Sequence, residues 1–318
     1  MNHRTTLGAL LVVVLMLASG FMGYELRPGE TISQTTTGSN SPGLRVLATF
    51  FPVYDDAVDI LGGRGNVTLL VPYSVDVHEY EPTPGAVMAV SSAQVLIYNG
   101  AGLEPWIPQL VAAADNPKLI QVNASQGIPL IRVPSEFQKD NRTVDPHVWN
   151  DPVLAQLQVT NILQGLIAAD PSGAQYYMAN ADSLNARFQF MDQELRDGTS
   201  NEATRTFVSF HLAFQYLANQ YNLVQVPIAG PFEEEPTPTD IQSAVQAINQ
   251  NHLCVAFAES LENPAPVQAV VSQTKAHVWI LDPIEGLSAS DYNAGVTYVE
   301  KMQQNIYTLL QSLNQANC

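Results

Sequence analysis

Apolar residues in this chain come either as short continuous runs or as longer stretches in which they recur every three or four positions. A short run bounded by Gly, Pro or Asn reads as a buried strand, and three-to-four spacing reads as an amphipathic helix. Strands are predicted at Leu44 to Phe50, Val67 to Val71, Val95 to Tyr98 and Leu119 to Val122, with helices at Val53 to Leu61 and Gly85 to Ser91. From Pro152 the pattern turns helical, first over Val153 to Ala168. Asp170-Pro171 then interrupts, as a proline that starts a new helix would. The next helix, Ser172 to Leu195, would be a rod of about 36 Å at 1.5 Å per residue. Alternation resumes with strands at Thr206 to Phe210, Leu223 to Val226, Leu253 to Ala258 and Val278 to Leu281. Helices are predicted at Leu212 to Tyr221, Thr239 to Asn249, Ala265 to Thr274 and Ala294 to Asn314. Strands separated by helices imply βαβ units and parallel sheets. The expected fold is therefore α/β, with two lobes and a long helix between them: residues 44–171, 172–197 and 198–318.

The 318 residues exceed what one core usually holds, consistent with two lobes. Apolar residues make up 46% and charged residues 14%, as in globular domains with large cores. The net charge is −17, and no Lys/Arg cluster occurs, which argues against nucleic acid and anionic membrane surfaces as partners. Met1-Asn-His-Arg followed by the apolar run Leu7 to Met22 describes a secretory signal, or a short anchor, over residues 1–24. Residues 25–43 include the uncharged Thr/Ser/Gly/Asn-rich stretch Thr31 to Pro42, which suits a flexible tether. The protein is expected to be exported, at the periplasm or cell surface. Its two cysteines, Cys254 and Cys318, either form a bridge there or leave a buried thiol and a frayed terminal one.

Three histidines and an acid then stand out, spaced almost evenly: His78, His147, His211 and Asp282. His78 and His211 follow strand-like runs and Asp282 ends one, while His147 lies in Asp145-Pro-His-Val-Trp-Asn-Asp-Pro. In open α/β folds the crevice outside the carboxyl ends of the strands binds ligands. Three imidazoles and a carboxylate arriving there make a complete four-coordinate shell for a divalent metal, clamped between the lobes. Any one of these histidines alone would read as structural; their shared position carries the case. Glu79 is an alternative carboxylate, or a solvated loop acid. Glu259 also ends a strand, so it competes with Asp282 or supports a ligand from behind. Asp145 and Asp151 can orient the His147 ring, or simply form a turn and a helix cap. Tyr80-Glu81-Pro82 after His78-Glu79 rules out the zincin pattern, which needs a second His one helical turn on. Three imidazoles favour Zn²⁺, with Mn²⁺ as the alternative. Four protein ligands leave no open position, so the shell reads as carrying rather than catalysing.

These segments resemble the zinc branch of the metal-uptake solute-binding proteins of ABC transporters. The resemblance spans roughly Leu44 to Cys318. It is carried by Val75-Asp-Val-His78-Glu-Tyr-Glu-Pro, Asp145-Pro-His147-Val-Trp-Asn-Asp-Pro, Phe210-His211, Glu235-Pro-Thr-Pro, Phe257-Ala-Glu259 and Leu281-Asp282-Pro. It implies two four-stranded lobes joined by one rigid helix, and the ligand set His78, His147, His211 and Asp282. It also implies a Cys254–Cys318 pair and an ABC permease as partner. In manganese-type relatives the third ligand resembles Glu; His211 here favours zinc. Arg132 to Val144 lacks the histidine-rich loop of many zinc members. The expected function is a monomeric extracytoplasmic receptor, not an enzyme, that captures Zn²⁺ and delivers it to a permease. The alternatives are a manganese or broad divalent receptor, a metal-containing surface adhesin, or a secreted zinc hydrolase with Glu79 or Glu259 as base.

Overall fold

The computed structural model describes residues 43–138, 142–200, 202–232 and 235–315. The expected signal, the tether up to residue 42 and Cys318 lie outside the described residues. Two four-stranded parallel sheets organise the rest. The first lobe contains β1 (Leu44–Ala48), α1 (Phe51–Leu61), β2 (Gly65–Leu69), α2 (Pro84–Ser92), β3 (Val95–Tyr98), α3 (Ile107–Ala114) and β4 (Ile120–Asn123). Then come α4 (Pro152–Ala169) and α5 (Ala174–Gly198). The second lobe has β5 (Thr206–His211), α6 (Gln215–Gln220), β6 (Val224–Ala229), α7 (Pro238–Asn251), β7 (Val255–Ala258), α8 (Ala265–Val271) and β8 (His277–Ile280), closed by α9 (Ala289–Ala294) and α10 (Tyr298–Leu313). The strand orders are β2-β1-β3-β4 and β6-β5-β7-β8, the same topology twice. In each sheet the order reverses beside the first strand, and that switch point opens a crevice at the carboxyl ends.

Each lobe has an apolar cluster of its own, around Leu47, Val90 and Leu96 in the first and around Val208, Ile248 and Ala256 in the second, and a larger one is shared. The shared cluster runs from Val46 and Ile97 in the first sheet through α4 and α5 to Phe207 and Phe257 in the second. Helix α5 joins them because its buried positions, Tyr177, Ala181, Leu184, Phe188, Met191 and Leu195, alternate steps of four and three. That spacing is one continuous stripe along the helix, and α5 packs on α1, α4 and α10 along its length. The linker is thus part of the core, and the halves are coupled through it.

Local chemistry explains where the elements begin and stop. The Asp151 side chain accepts from the Val153 amide ahead of Pro152, so this Asp caps α4 rather than orienting a histidine. The final helix expected over Ala294 to Asn314 starts later, at Tyr298, and a separate short helix, α9, precedes it. Gly295 takes a left-handed conformation (φ 69°) that ends α9, and Thr297 with Glu300 forms a capping box that starts α10. Helices α3 and α9 had no counterpart in the sequence reading. Both are short, and α3 opens with Ile107-Pro108 just after the irregular Gly102-Leu-Glu-Pro105 segment, which hides its period.

Candidate metal centre

The three histidines converge although they arise in different settings. His211 is the last residue of β5, at the carboxyl end of the strand beside the switch point. His147 precedes a single 3₁₀ turn (Val148–Asn150) that leads into α4. His78 sits in the loop between β2 and α2, where its amide donates to Asp76 Oδ1 at 2.7 Å. The side chains of all three are buried.

Glu285 completes the group. Its Oε1 lies 3.2 Å from His78 Nε2, 3.0 Å from His147 Nε2 and 3.5 Å from His211 Nε2. The His147 and His211 Nε2 atoms are 3.2 Å apart, and one ligand atom from each of the four residues falls within 4.8 Å of every other. Ligand atoms at about 2.0–2.1 Å from a tetrahedral zinc stand about 3.3–3.4 Å from one another. The four side chains can therefore hold a metal ion with little rearrangement.

Carboxylates behind the rings fix which nitrogen faces inward. Asp145 Oδ1 lies 2.7 Å from His147 Nδ1 and also accepts the His147 amide at 2.9 Å. Glu259 Oε1 lies 2.7 Å from His211 Nδ1 and accepts the His211 amide at 3.2 Å. An ionised carboxylate only accepts, so each Nδ1 carries a proton and each Nε2 lone pair points into the centre. Asp145 is in turn held by Gln215 Nε2 at 2.9 Å. The His78 Nδ1 is buried without a hydrogen-bond partner, so its ring is oriented by packing, including an edge contact with Phe232.

The electrostatics call for a cation. Burial opposes charge on His147, yet the Asp145 and Glu285 carboxylates outweigh it and raise the ring above its ordinary value. Burial likewise opposes charge on His211, where Glu259 and Glu285 push it well up. Burial raises Glu259 despite its histidine partner. Burial also works against ionised Glu285, but His78, His147 and His211 hold it well below the usual carboxylate range. Three carboxylates against three imidazoles leave a negative excess that protons can offset and a divalent cation offsets better.

Asp282 is not in this group. Its carboxylate is spent elsewhere: Oδ1 accepts the Ile284 amide at 2.8 Å, and Oδ2 takes Lys301 Nζ at 2.7 Å together with the Ser260 hydroxyl. Glu285, three residues on, occupies the position the sequence assigned to Asp282. The signal for it was faint: an acid two residues beyond a proline at a strand end. Glu79 is exposed and outside the group, and Glu259 serves behind His211. Cys254 is buried with its sulfur 3.7 Å from the Gln315 carbonyl; its expected partner, Cys318, is not among the described residues.

Residues 46–312 match the family described as zinc-uptake complex component A, periplasmic (ZnuA). The chain belongs to this family. It is 31% identical over 294 residues to the high-affinity zinc uptake system protein ZnuA of Bacillus subtilis strain 168, covering 90% of this chain and 92% of that one. It is 28% identical over 311 residues to the manganese-binding lipoprotein MntA of Halalkalibacterium halodurans, 96% and 97% of the two chains. Among solved structures, the Zn(II)-bound ZnuA-like domain of Streptococcus pneumoniae AdcA aligns with a TM-score of 0.74 at 28% identity. The match covers 86% of this chain and all of that one. As a ZnuA-family member the protein is a metal-binding receptor of the uptake type, from a family of transport receptors rather than enzymes.

Proposed function

We propose that this protein is an extracytoplasmic receptor that binds one Zn²⁺ between its lobes through His78, His147, His211 and Glu285, and delivers it to an ABC permease. The observation that carries this reading is the convergence of three Nε2 atoms and one carboxylate oxygen within 4.8 Å of one another. A shell richer in nitrogen than oxygen favours zinc over manganese. Four protein ligands leave no site for a reactive water, which fits carriage and not hydrolysis. Export and the uptake partner accord with the names of the relatives, and the apolar Leu7 to Met22 run fits a signal or a membrane tether. No feature of the centre favours an adhesin.

The test is competitive titration of chelator-stripped protein with Zn²⁺ against Mn²⁺, with elemental analysis for stoichiometry. One zinc per chain, held far more tightly than manganese, is the expected result. Comparable affinities would move the function to broad divalent uptake, and no tight metal at all would overturn the reading.

A further inference from the structure

The turn that carries Glu285 is anchored from both sides of the cleft. On the second-lobe side, the Asp282 amide donates to Asn305 Oδ1 at 3.0 Å, and Lys301 ties Asp282 to Asp291, whose Oδ2 lies 2.8 Å from Nζ. On the first-lobe side, Trp149 Nε1 donates to the Pro283 carbonyl at 2.7 Å, and the Leu287 amide donates to the Tyr73 carbonyl at 2.9 Å. Both first-lobe bonds flank the ligand, one two residues before it and one two residues after. Between them, Gly286 lies so close to the first lobe that a Cβ there would stand 2.1 Å from the Tyr73 carbonyl oxygen and 3.2 Å from the Tyr73 carbonyl carbon. Ile284 completes the turn at φ 61°, a left-handed conformation that a β-branched residue rarely holds unless its surroundings enforce it. Its side chain is fully buried, which supplies that enforcement.

We propose that Gly286 and the Trp149 indole are positioning residues that clamp the Pro283–Leu287 turn onto the first lobe and so place the Glu285 carboxylate among the three imidazoles. This inference rests on the four-ligand zinc reading above. Glu285 belongs to the second lobe by chain, while the hydrogen bonds on either side of it run to the first. With the clamp gone, three histidines remain and a fourth position opens, which is the geometry of a reactive zinc rather than a carried one. The close approach at Gly286 is what allows both flanking bonds at once. A methyl group there must push the turn away from backbone, which cannot swing aside as a side chain can.

The experiment compares Gly286→Ala, Trp149→Phe, Glu285→Gln and the Gly286→Ala/Glu285→Gln double variant. Zinc affinity is read by competition, and coordination by the visible absorption of the Co²⁺-loaded protein. Metal-free melting checks that each variant folds. Gly286→Ala is expected to weaken zinc binding by about ten- to a hundredfold, the range for losing a group that orients a ligand. Its Co²⁺ spectrum should match that of Glu285→Gln, and the double variant should bind no more weakly than Glu285→Gln alone. Trp149→Phe should move the spectrum in the same direction. A Gly286→Ala protein with native affinity and native Co²⁺ spectrum overturns the clamp. So does a double variant whose losses multiply, because Gly286 would then act independently of the carboxylate. If Glu285→Gln itself binds zinc like the native protein, the four-ligand reading fails instead, and the clamp with it.

Discussion

At the scale of single residues, the centre depends as much on the groups behind the imidazoles as on the imidazoles. Asp145 and Glu259 each spend one oxygen on a ring Nδ1 and the same residue's amide, which sets the tautomer and the ring plane together. Asp145→Asn and Glu259→Gln should therefore each cost about ten- to a hundredfold in zinc affinity, with four-to-one ligand stoichiometry unchanged. Equilibrium competition with a chelator checks this, and native affinity in both variants would show that packing alone orients the rings. The histidines were legible because imidazoles are scarce and these three sit at nearly even intervals in loop-like contexts, although only His211 ends a strand. The acid was not. Carboxylates are abundant at turns, and nothing along the chain distinguishes Asp282, consumed by Lys301, Ser260 and the Ile284 amide, from Glu285, which faces the cleft.

At the scale of elements, α5 decides how independent the lobes can be. Its four-three stripe from Tyr177 to Leu195 was visible in the sequence as a long uninterrupted helix, with Asp170-Pro171 marking its approach. Met191 lies in that stripe and is 2% exposed within the cluster shared by both sheets. Met191→Ala should cost about 2–5 kcal/mol by leaving a cavity there. Because the largest cluster spans both lobes, denaturant unfolding followed by fluorescence and by circular dichroism should still give one coincident transition at a lower midpoint. Two separate transitions would mean that the lobes are thermodynamically distinct. Shorter elements were harder to read. The helix expected from Leu212 contracts to Gln215–Gln220, because Leu212 to Phe214 complete the turn that swings the chain away from His211.

At the scale of the whole molecule, burial of acids gives the metal-free protein a characteristic pH dependence. Asp55 and Asp151 are pushed up to about 6 and Glu104 to about 7, in each case chiefly by burial. His147 and His211 are also raised. A group whose folded value exceeds its unfolded one stabilises fully below the unfolded value and loses that contribution as pH rises through the folded one. Through the acids, stability of the stripped protein should thus decline between about pH 4 and 7, with the histidines extending the decline above the ordinary imidazole range. Glu104→Gln should flatten the lower part; denaturant midpoints measured across pH check both. Zinc affinity should run the other way and rise over the same span, since the imidazoles must shed protons to bind. Hydrophobic spacing along the chain was enough to determine the class of fold, two α/β lobes about a long helix, because periodicity is a local property that each element carries by itself. The same locality allowed three of the four converging side chains to be picked out. Only the tertiary structure decided which carboxylate joins them, which acids stand behind the rings and how the lobes share a core. Those outcomes depend on which groups burial forces together, and the partners lie 48 residues apart for His211 and Glu259 and 138 for His147 and Glu285.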